Sequence, residues 1–474
     1  MPAIARRWFY AVPVTYLALL LWIQPADRIV MPWMIDNSPQ GKSKAELQGK
    51  MTYPLPAPLS RWVTDDCDAL AYAIRAENAA RGRKAGLTRE VPDPLDPTGP
   101  ARREAYEPWD DADRPNATLL DRYFLEYPPL ALAYFRLGLI GAPLDPQVEI
   151  HPRYLDCHQA HIGSFEADSP EASTVLRSYR HACRVYAVLM ALAVIGLCIA
   201  LDVRSGLAWP VWCFVLPGFL YFSLCRFDIL PAGLVLISLL LADRRRVWLA
   251  GLALGLAVAL KMYPLAIAPI LLRFSARSWG QAAAWCVAAA LPIALSYGAM
   301  LVSDGPDGAI IPLKFQLQRA YEPGWVFFDR FIPVALADKN GTSSLARLLC
   351  VFVPAMIVCI VRPPSLDSAL RRCAAIVVLF ISFQTFFSPQ WWIWIAVLLV
   401  PLVRSHPWLL GYIVFGDLWT YLHFPIVFDL GLGGEHDWVR STHVWVRGLL
   451  YFGLVAAFVA IEWPTLFRPP PANS

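Results

Sequence analysis

Residues 226–273 read RFDILPAGLVLISLLLADRRRVWLAGLALGLAVALKMYPLAIAPILLR, and the reading of this stretch decides the fold. Apolar runs fill it, and its charges stand at the run ends. Arg226 and Asp228 open the first run, Arg244, Arg245 and Arg246 separate the first from the second, and Lys261 closes the second. Runs of this kind predict helices in a membrane, with the arginine turn on one side of it. A charge at membrane depth costs a few kcal/mol or more, so it is paired, functional or drawn out to the headgroups. Arg226, Asp228 and Lys261 fall together at the other end of the predicted hairpin.

Composition agrees. Of 474 residues, 57% are hydrophobic and only 16% charged, against roughly 25% charged in soluble domains. Many runs approach the roughly 20 residues that a spanning helix needs. The expected fold class is an all-α polytopic membrane protein. The net charge of +4 comes from basic residues clustered at run ends. That placement follows membrane orientation and argues against a nucleic-acid face. Of ten cysteines, eight lie in or beside apolar runs and read as small core residues. Cys67 and Cys157 lie in a polar stretch and are a possible disulfide if it faces an oxidising compartment.

Outward from the opening stretch, Arg6 and Arg7 precede an apolar run from Trp8 to Gln24 with no convincing cleavage site, which predicts a retained first helix (residues 1–24). Residues 25–181 are polar and rich in Pro, Asp and Arg, and are expected to form a large extracytoplasmic first loop with its own short helices. Within it, 65–81 has helical spacing, and 86–109, with Pro92, Pro94, Pro97 and Pro100, reads as an irregular insertion. Residues 127–144, YPPLALAYFRLGLIGAPL, read as a helix lying at the interface. Residues 182–465 form the multi-helix domain, with runs at 183–201, 207–224, 228–241, 247–260, 262–272, 281–302, 344–361, 373–388, 389–403, 408–428 and 443–463. With the first helix this makes about twelve segments, several short, as buried or broken helices are. Residues 466–474 are a cytoplasmic tail.

Alternate threading from a cytoplasmic N-terminus places Arg204, Arg244 to Arg246, Arg273, Arg277, Arg362, Arg371, Arg372, Arg404 and Arg468 on one side. That obeys the positive-inside rule. The same threading puts Arg226, Asp228, Lys261, the 304–341 loop, the 388–390 turn and a loop with Glu435, His436 and Asp437 on the extracytoplasmic side, with His423 just inside it. Convergent polar residues at one membrane face suit an enzyme that works on a lipid-linked substrate.

Several motifs recur in order: Asp68 four before Tyr72, the YPPL at Tyr127 to Leu130, Asp228 with Pro231, the paired Gly251 and Gly255, Lys261-Met-Tyr-Pro264, and FFSPQWWIW from Phe386 to Trp394. In these the chain resembles the multi-spanning GT-C glycosyltransferases, and most of all glycosyltransferase family 87, the polyprenyl-phosphate-mannose-dependent mannosyltransferases. The resemblance runs from about Asp65 to Val403. It departs in the proline-rich insertion, in 151–178, and after Val403, where only hydrophobicity is shared. It implies a cell-membrane enzyme of cell-envelope glycan biosynthesis, as in a bacterial inner membrane. Both termini would be cytoplasmic and the site extracytoplasmic. It implies transfer of a sugar, mannose by the family, from a polyprenyl-phosphate donor to a glycan or glycolipid acceptor, with inversion.

Such a transfer needs a base for the acceptor hydroxyl, cations for the departing phosphate and an apolar groove for the lipid. Asp68 holds the position where the family carries its catalytic acid, and Asp66 is the alternative; both also suit a helix N-terminus. Lys261 and Arg226 are the candidates for the donor phosphate. Asp228 either pairs with Arg226 or binds sugar. Tyr127, Gln390, Trp391 and His423 are candidates for sugar or lipid contact, and Trp394 reads as part of an interfacial aromatic belt. No cofactor is expected, since no nucleotide-binding glycine loop is present, and no metal is assigned to His151, His158 and His161. Asn116 is a formal glycosylation acceptor without a secretory context. The competing class is a transporter or flippase of a lipid-linked saccharide. It would show matching halves and midplane charges, neither of which is seen.

Overall fold

In a computed structural model of the chain, the residues described are 88–91, 102–105, 127–144, 170–205, 210–318, 342–384, 386–423 and 437–467, with single positions 11, 14, 15, 77 and 327. Asp65, Asp66, Asp68, Cys67, Cys157, Asn116, the three loop histidines, Glu435, His436, the tail and nearly all of the first helix lie outside them.

The protein is an all-α polytopic membrane protein, with one two-stranded sheet among the described residues. Its twelve described helices are α1 (Pro129–Leu137), α2 (Pro170–Ser205), α3 (Pro217–Cys225), α4 (Ile229–Asp243), α5 (Val247–Leu260), α6 (Ala268–Ser275), α7 (Trp279–Gln318), α8 (Thr342–Ile360), α9 (Leu366–Ser382), α10 (Trp392–Leu399), α11 (Trp408–Tyr421) and α12 (Asp437–Phe467). Among the described residues, three stretches are long and apolar enough to cross a membrane: Arg184–Leu201, Trp279–Val302 and Trp438–Pro464. The other apolar helices are shorter. α4, with 15 residues, is about 22 Å long against a hydrocarbon core of about 30 Å.

The chain divides into two compact units. The first comprises Met1–Leu19, Met190–Gly298 and Leu317–Ser474. At its centre is the α4–α5 hairpin. Both helices are apolar all round, which is the signature of a fully buried helix. The hairpin turns at Arg245, whose φ of 62° is left-handed. There the Arg246 N–H returns to the Leu241 carbonyl at 2.9 Å and closes the helix end. The Ser238 hydroxyl donates to the Ala250 carbonyl across the pair at 2.7 Å. Gly251 and Gly255 let α5 touch the backbone of α7. A Cβ on either would stand 2.4 Å from the Trp285 carbonyl oxygen or 2.1 Å from that of Ala289.

Several expected spans are broken, and prolines explain the breaks. The 207–224 run becomes a 3₁₀ turn (Pro210–Val215) followed by the nine-residue α3. Leu216, before Pro217, is extended with ψ 150°, as the proline ring demands. The 262–272 run opens as a 3₁₀ turn, Tyr263–Ile267, and continues as α6. The 389–403 run holds α10 between 3₁₀ turns at Pro389–Trp391 and Val400–Arg404. The reverse happens at 304–318. That part of the expected loop is helical, because α7 runs on through Pro306 to Gln318. A proline inside a helix forfeits a bond only to the carbonyl four residues back.

The second unit comprises Leu20–Leu189 and Ala299–Gln316. In the insertion read as irregular, β1 (Thr88–Val91) and β2 (Arg102–Ala105) pair antiparallel, with Thr88 opposite Ala105. Nine-residue α1 is too short to span and packs on the start of α2. There the Tyr186 hydroxyl donates to the Phe135 carbonyl at 2.7 Å, and Tyr186 stacks on Tyr134 at 4.8 Å.

Candidate active site

The helix ends of the first unit assemble the site. Asp228 stands at the N-terminus of α4, where the helix dipole favours a carboxylate. Its side chain makes no cap bond there. One oxygen, Oδ1, takes the Lys261 ammonium at 2.8 Å and the Trp394 indole N–H at 2.5 Å. Lys261 closes α5 in an extended conformation, which swings its side chain back toward the start of α4. Asp228 is fully buried and Lys261 nearly so, with 13% of its side chain exposed. Aromatic rings sheathe the pair. The ammonium lies 5.1 Å from the Phe227 ring and 5.4 Å from Trp394, within cation–π range. Trp394 in turn lies flat on Tyr263 at 3.8 Å. Arg226 is buried two residues before Asp228.

Arg226, Asp228 and Lys261 are thus brought together as the sequence suggests. Asp228 is not exclusive to Arg226, since its hydrogen bonds go to Lys261 and Trp394. Trp394 is corrected: it is buried and holds Asp228, and is not part of an interfacial belt. The FFSPQWWIW motif forms a wall behind it. Trp391 stacks on Trp394 at 5.4 Å and meets Phe386 at 4.8 Å and Phe387 at 6.1 Å. Gln390 is buried and accepts from the Ser388 hydroxyl. His423 is buried 5.2 Å from Phe387 and 4.5 Å from His443, ring to ring. Tyr127 belongs to the second unit, where it packs on Phe135 at 6.1 Å. Asp68 and Asp66 lie outside the described residues.

Other charged groups escaped the sequence reading. Asp417 of α11 is buried and accepts from the Gly218 and Phe219 N–H groups at 2.7 Å each, which caps α3. Arg447 of α12 lies over the Phe387 ring at 3.5 Å. His443, Arg447 and Tyr451 recur every four residues, and a cation inside an apolar run was the signal for them. Glu462 accepts from Arg371 at 2.8 Å through Oε1 and from Arg372 at 2.8 Å through Oε2. The Ser368 hydroxyl completes it at 2.5 Å. Arg371 also reaches His406 Nε2 at 3.0 Å in the turn before α11. Burial, then the Arg371 charge, holds that imidazole below its ordinary range.

The Asp228 centre offers a buried carboxylate, two cations beside it and stacked aromatic faces. Such a set binds hydroxyl-rich rings on the aromatics and anionic oxygens on the cations. Residues 174–389 match the model of glycosyltransferase family 87, a span that holds Arg226, Asp228 and Lys261 and ends one residue before Gln390. No curated protein matches the chain. That match is consistent with a membrane glycosyltransferase, which implies a sugar donor and an acceptor.

Proposed function

From that match to the family 87 model as premise, we propose that the protein transfers mannose from a polyprenyl-phosphate donor to an extracytoplasmic glycan or glycolipid acceptor, with inversion. The observation that carries the reading is the buried Asp228–Lys261–Trp394 cluster at the ends of α4, α5 and α10. It stands at the far end of the hairpin from Arg244 to Arg246, the arginines that the positive-inside rule assigns to the cytoplasm. The donor phosphate approaches the cations here. Asp228 keeps the Lys261 ammonium pointed, and Arg226 adds a second positive group to the leaving side. Trp391, Trp394 and Tyr263 offer the sugar a stacking face, with Gln390, Tyr127 and His423 as the remaining candidates for sugar or lipid contact.

In the reaction the acceptor hydroxyl oxygen attacks the anomeric carbon while the bond from that carbon to the phosphate oxygen breaks. The hydroxyl proton passes to Asp68, with Asp66 as its alternative, and the electron pair leaves with polyprenyl phosphate. No second nucleophilic carboxylate is needed for a single inverting displacement. The scheme draws on no cofactor beyond the lipid-linked donor.

The test is incubation of the purified protein with radiolabelled polyprenyl-phosphate-mannose and a membrane extract. A labelled glycan or glycolipid supports the reading. Donor that stays intact, or that only changes leaflet, overturns it in favour of a flippase. General-base help is worth about 10²–10⁴ in rate. Asp68→Asn is therefore expected to lose about that much turnover at unchanged folded yield and donor affinity. Near-normal turnover would move the base to Asp66. An impermeant thiol reagent on intact cells should label a cysteine placed at 262, next to Lys261, and spare one placed at 245. The opposite pattern would turn the site to the cytoplasm.

A further inference from the structure

Three guanidiniums gather at the far end of the first unit from Asp228. Arg273 lies in the last turn of α6, Arg277 stands two residues past that helix, and Arg362 lies in the turn between α8 and α9. α6 packs on α8, which brings the two stretches side by side. Arg362 is anchored there, since its Nη2 donates to the Phe274 carbonyl at 2.9 Å, in the last turn of α6. Arg273 and Arg277 are exposed. Among the described residues no ion pair joins any of the three. Burial, and then the charges of Arg277 and Arg273, hold the Arg362 guanidinium below its ordinary range, so the three feel one another. The end of α6 does not neutralise them, because a helix C-terminus carries only about half a negative charge.

Apolar surface adjoins the cluster on both stretches. Trp279, two residues after Arg277, is 93% exposed at the start of α7. A bare tryptophan beside arginines marks the depth of the lipid headgroups. Ile357 and Ile360 are exposed at the end of α8, just before Arg362, and Val287 and Leu291 are exposed further along α7. We propose that Arg273, Arg277 and Arg362 hold the phosphate headgroup of an anionic phospholipid from the bilayer leaflet on this side, with its acyl chains against the exposed faces of α7 and α8. A guanidinium offers phosphate two parallel bonds, and Arg362, already anchored through one nitrogen, presents the rest of its fork at little further cost in order. Basic pockets between helices on the cytoplasmic side suit such headgroups. A free anion would leave the apolar faces unused. Arg244 to Arg246 differ, because they share one hairpin turn that membrane orientation alone explains. The cluster instead joins two turns across 88 residues of chain. It does not rest on the transferase reading, since binding here involves no turnover.

The experiment uses the full chain in detergent and follows lipid binding by native mass spectrometry. Phosphatidylglycerol is the probe and phosphatidylcholine, with no net charge, is the control. One arginine at a charged membrane surface is worth about fivefold in binding. Arg277→Gln should therefore weaken phosphatidylglycerol about fivefold, and Arg273→Gln with Arg277→Gln about thirtyfold, with phosphatidylcholine unchanged. Both side chains are exposed, so these variants should fold as the wild type does. Arg362→Lys, which keeps the charge and loses the fork, should also bind more weakly. Arg244→Gln with Arg246→Gln removes as much charge from the same end and should leave the affinity at the wild-type level. Equal losses in the two double variants would reduce the effect to the general field of this face and overturn the site. Wild-type affinity in Arg273→Gln with Arg277→Gln would overturn it as well. So would full displacement of phosphatidylglycerol by inorganic phosphate, which would make the cluster a site for a free anion. Labelled product in the transfer assay beside any of these results would leave the transferase reading standing and sink only this one.

Discussion

Asp228 and Glu462 are both buried carboxylates with cationic partners, and they keep opposite company. Glu462 is closed: both oxygens are taken by arginines, and Ser368 adds a third donor. Arg372 spends its remaining reach on the Val358 and Val361 carbonyls, which ties α8, α9 and α12 together. Asp228 is open. Both of its hydrogen bonds fall on Oδ1, and Oδ2 makes none among the described residues. Around Glu462 the partners are polar and saturating, whereas Asp228 shares one oxygen between Lys261 and the Trp394 N–H, with aromatic rings around the pair. The chain path sets the two apart. α6 leaves the Lys261 end and its last turn holds Phe274, whose carbonyl takes Arg362, and the segment after α10 finishes at the His406 turn beside Arg371. Saturation marks a joint, and an unfilled carboxylate among aromatics marks a place for a ligand.

The comparison breaks first at Glu462. Glu462→Gln keeps the shape and leaves Arg371 and Arg372 without their anion. Stranding a buried charge costs about 3–5 kcal/mol. Thermal unfolding in detergent should show a loss of that order, while turnover per folded molecule stays within about twofold of the wild type. A Glu462→Gln enzyme that folds normally and turns over slowly would make this end catalytic and erase the distinction.

Lys261→Met sharpens it from the other side. Asp228 would keep the Trp394 indole and the nearby Arg226, so the stability cost should be smaller, about 1–3 kcal/mol. Donor affinity and turnover should both fall at least about tenfold, because phosphate is charged in the ground state and in the transition state. Adding Asp228→Asn should restore stability, by removing the stranded carboxylate, and leave turnover low. Recovery of turnover in the double variant would reduce the pair to a joint like the one at Glu462.

These two regions also differ in how far the sequence shows them. Val247–Leu260 is legible to the residue, because a continuous apolar run ends sharply at Arg246 and Lys261. Arg226, Asp228 and Lys261 are legible as a group, since a helical hairpin must bring its two open ends together. Trp394 is not, because a tryptophan at a run end looks the same whether it meets lipid or a carboxylate 166 residues away. Glu462 is hidden for the same reason: its partner Arg371 lies 91 residues off, and the positive-inside rule explains the arginine without it. The broken spans were written in Pro210, Pro217, Pro264 and Pro389, which a hydropathy reading averages over. Asp68 and Asp66 lie outside the described residues, so the base rests on the resemblance.

The smallest effect belongs to His406, which sits in a turn outside the apolar helices and touches the closed end through Arg371. Burial first, and then the Arg371 charge, disfavours its protonated form in the folded protein. The folded pKa therefore lies below the unfolded one, and the unfolded chain binds the proton more readily. Above the unfolded value, about 6.5, both states are neutral and His406 adds no pH dependence. As pH falls below it, the unfolded state gains a proton that the folded state resists, and stability declines. The exposure of the ring keeps this slope shallow. His406→Asn should flatten the decline in unfolding temperature between about pH 6.5 and 5. It should leave the acid profile of turnover unmoved, since in the proposed scheme the transfer chemistry and the donor phosphate set that profile. A shifted turnover profile in His406→Asn would show that the two ends are coupled, and the separation drawn from Asp228 and Glu462 would fail.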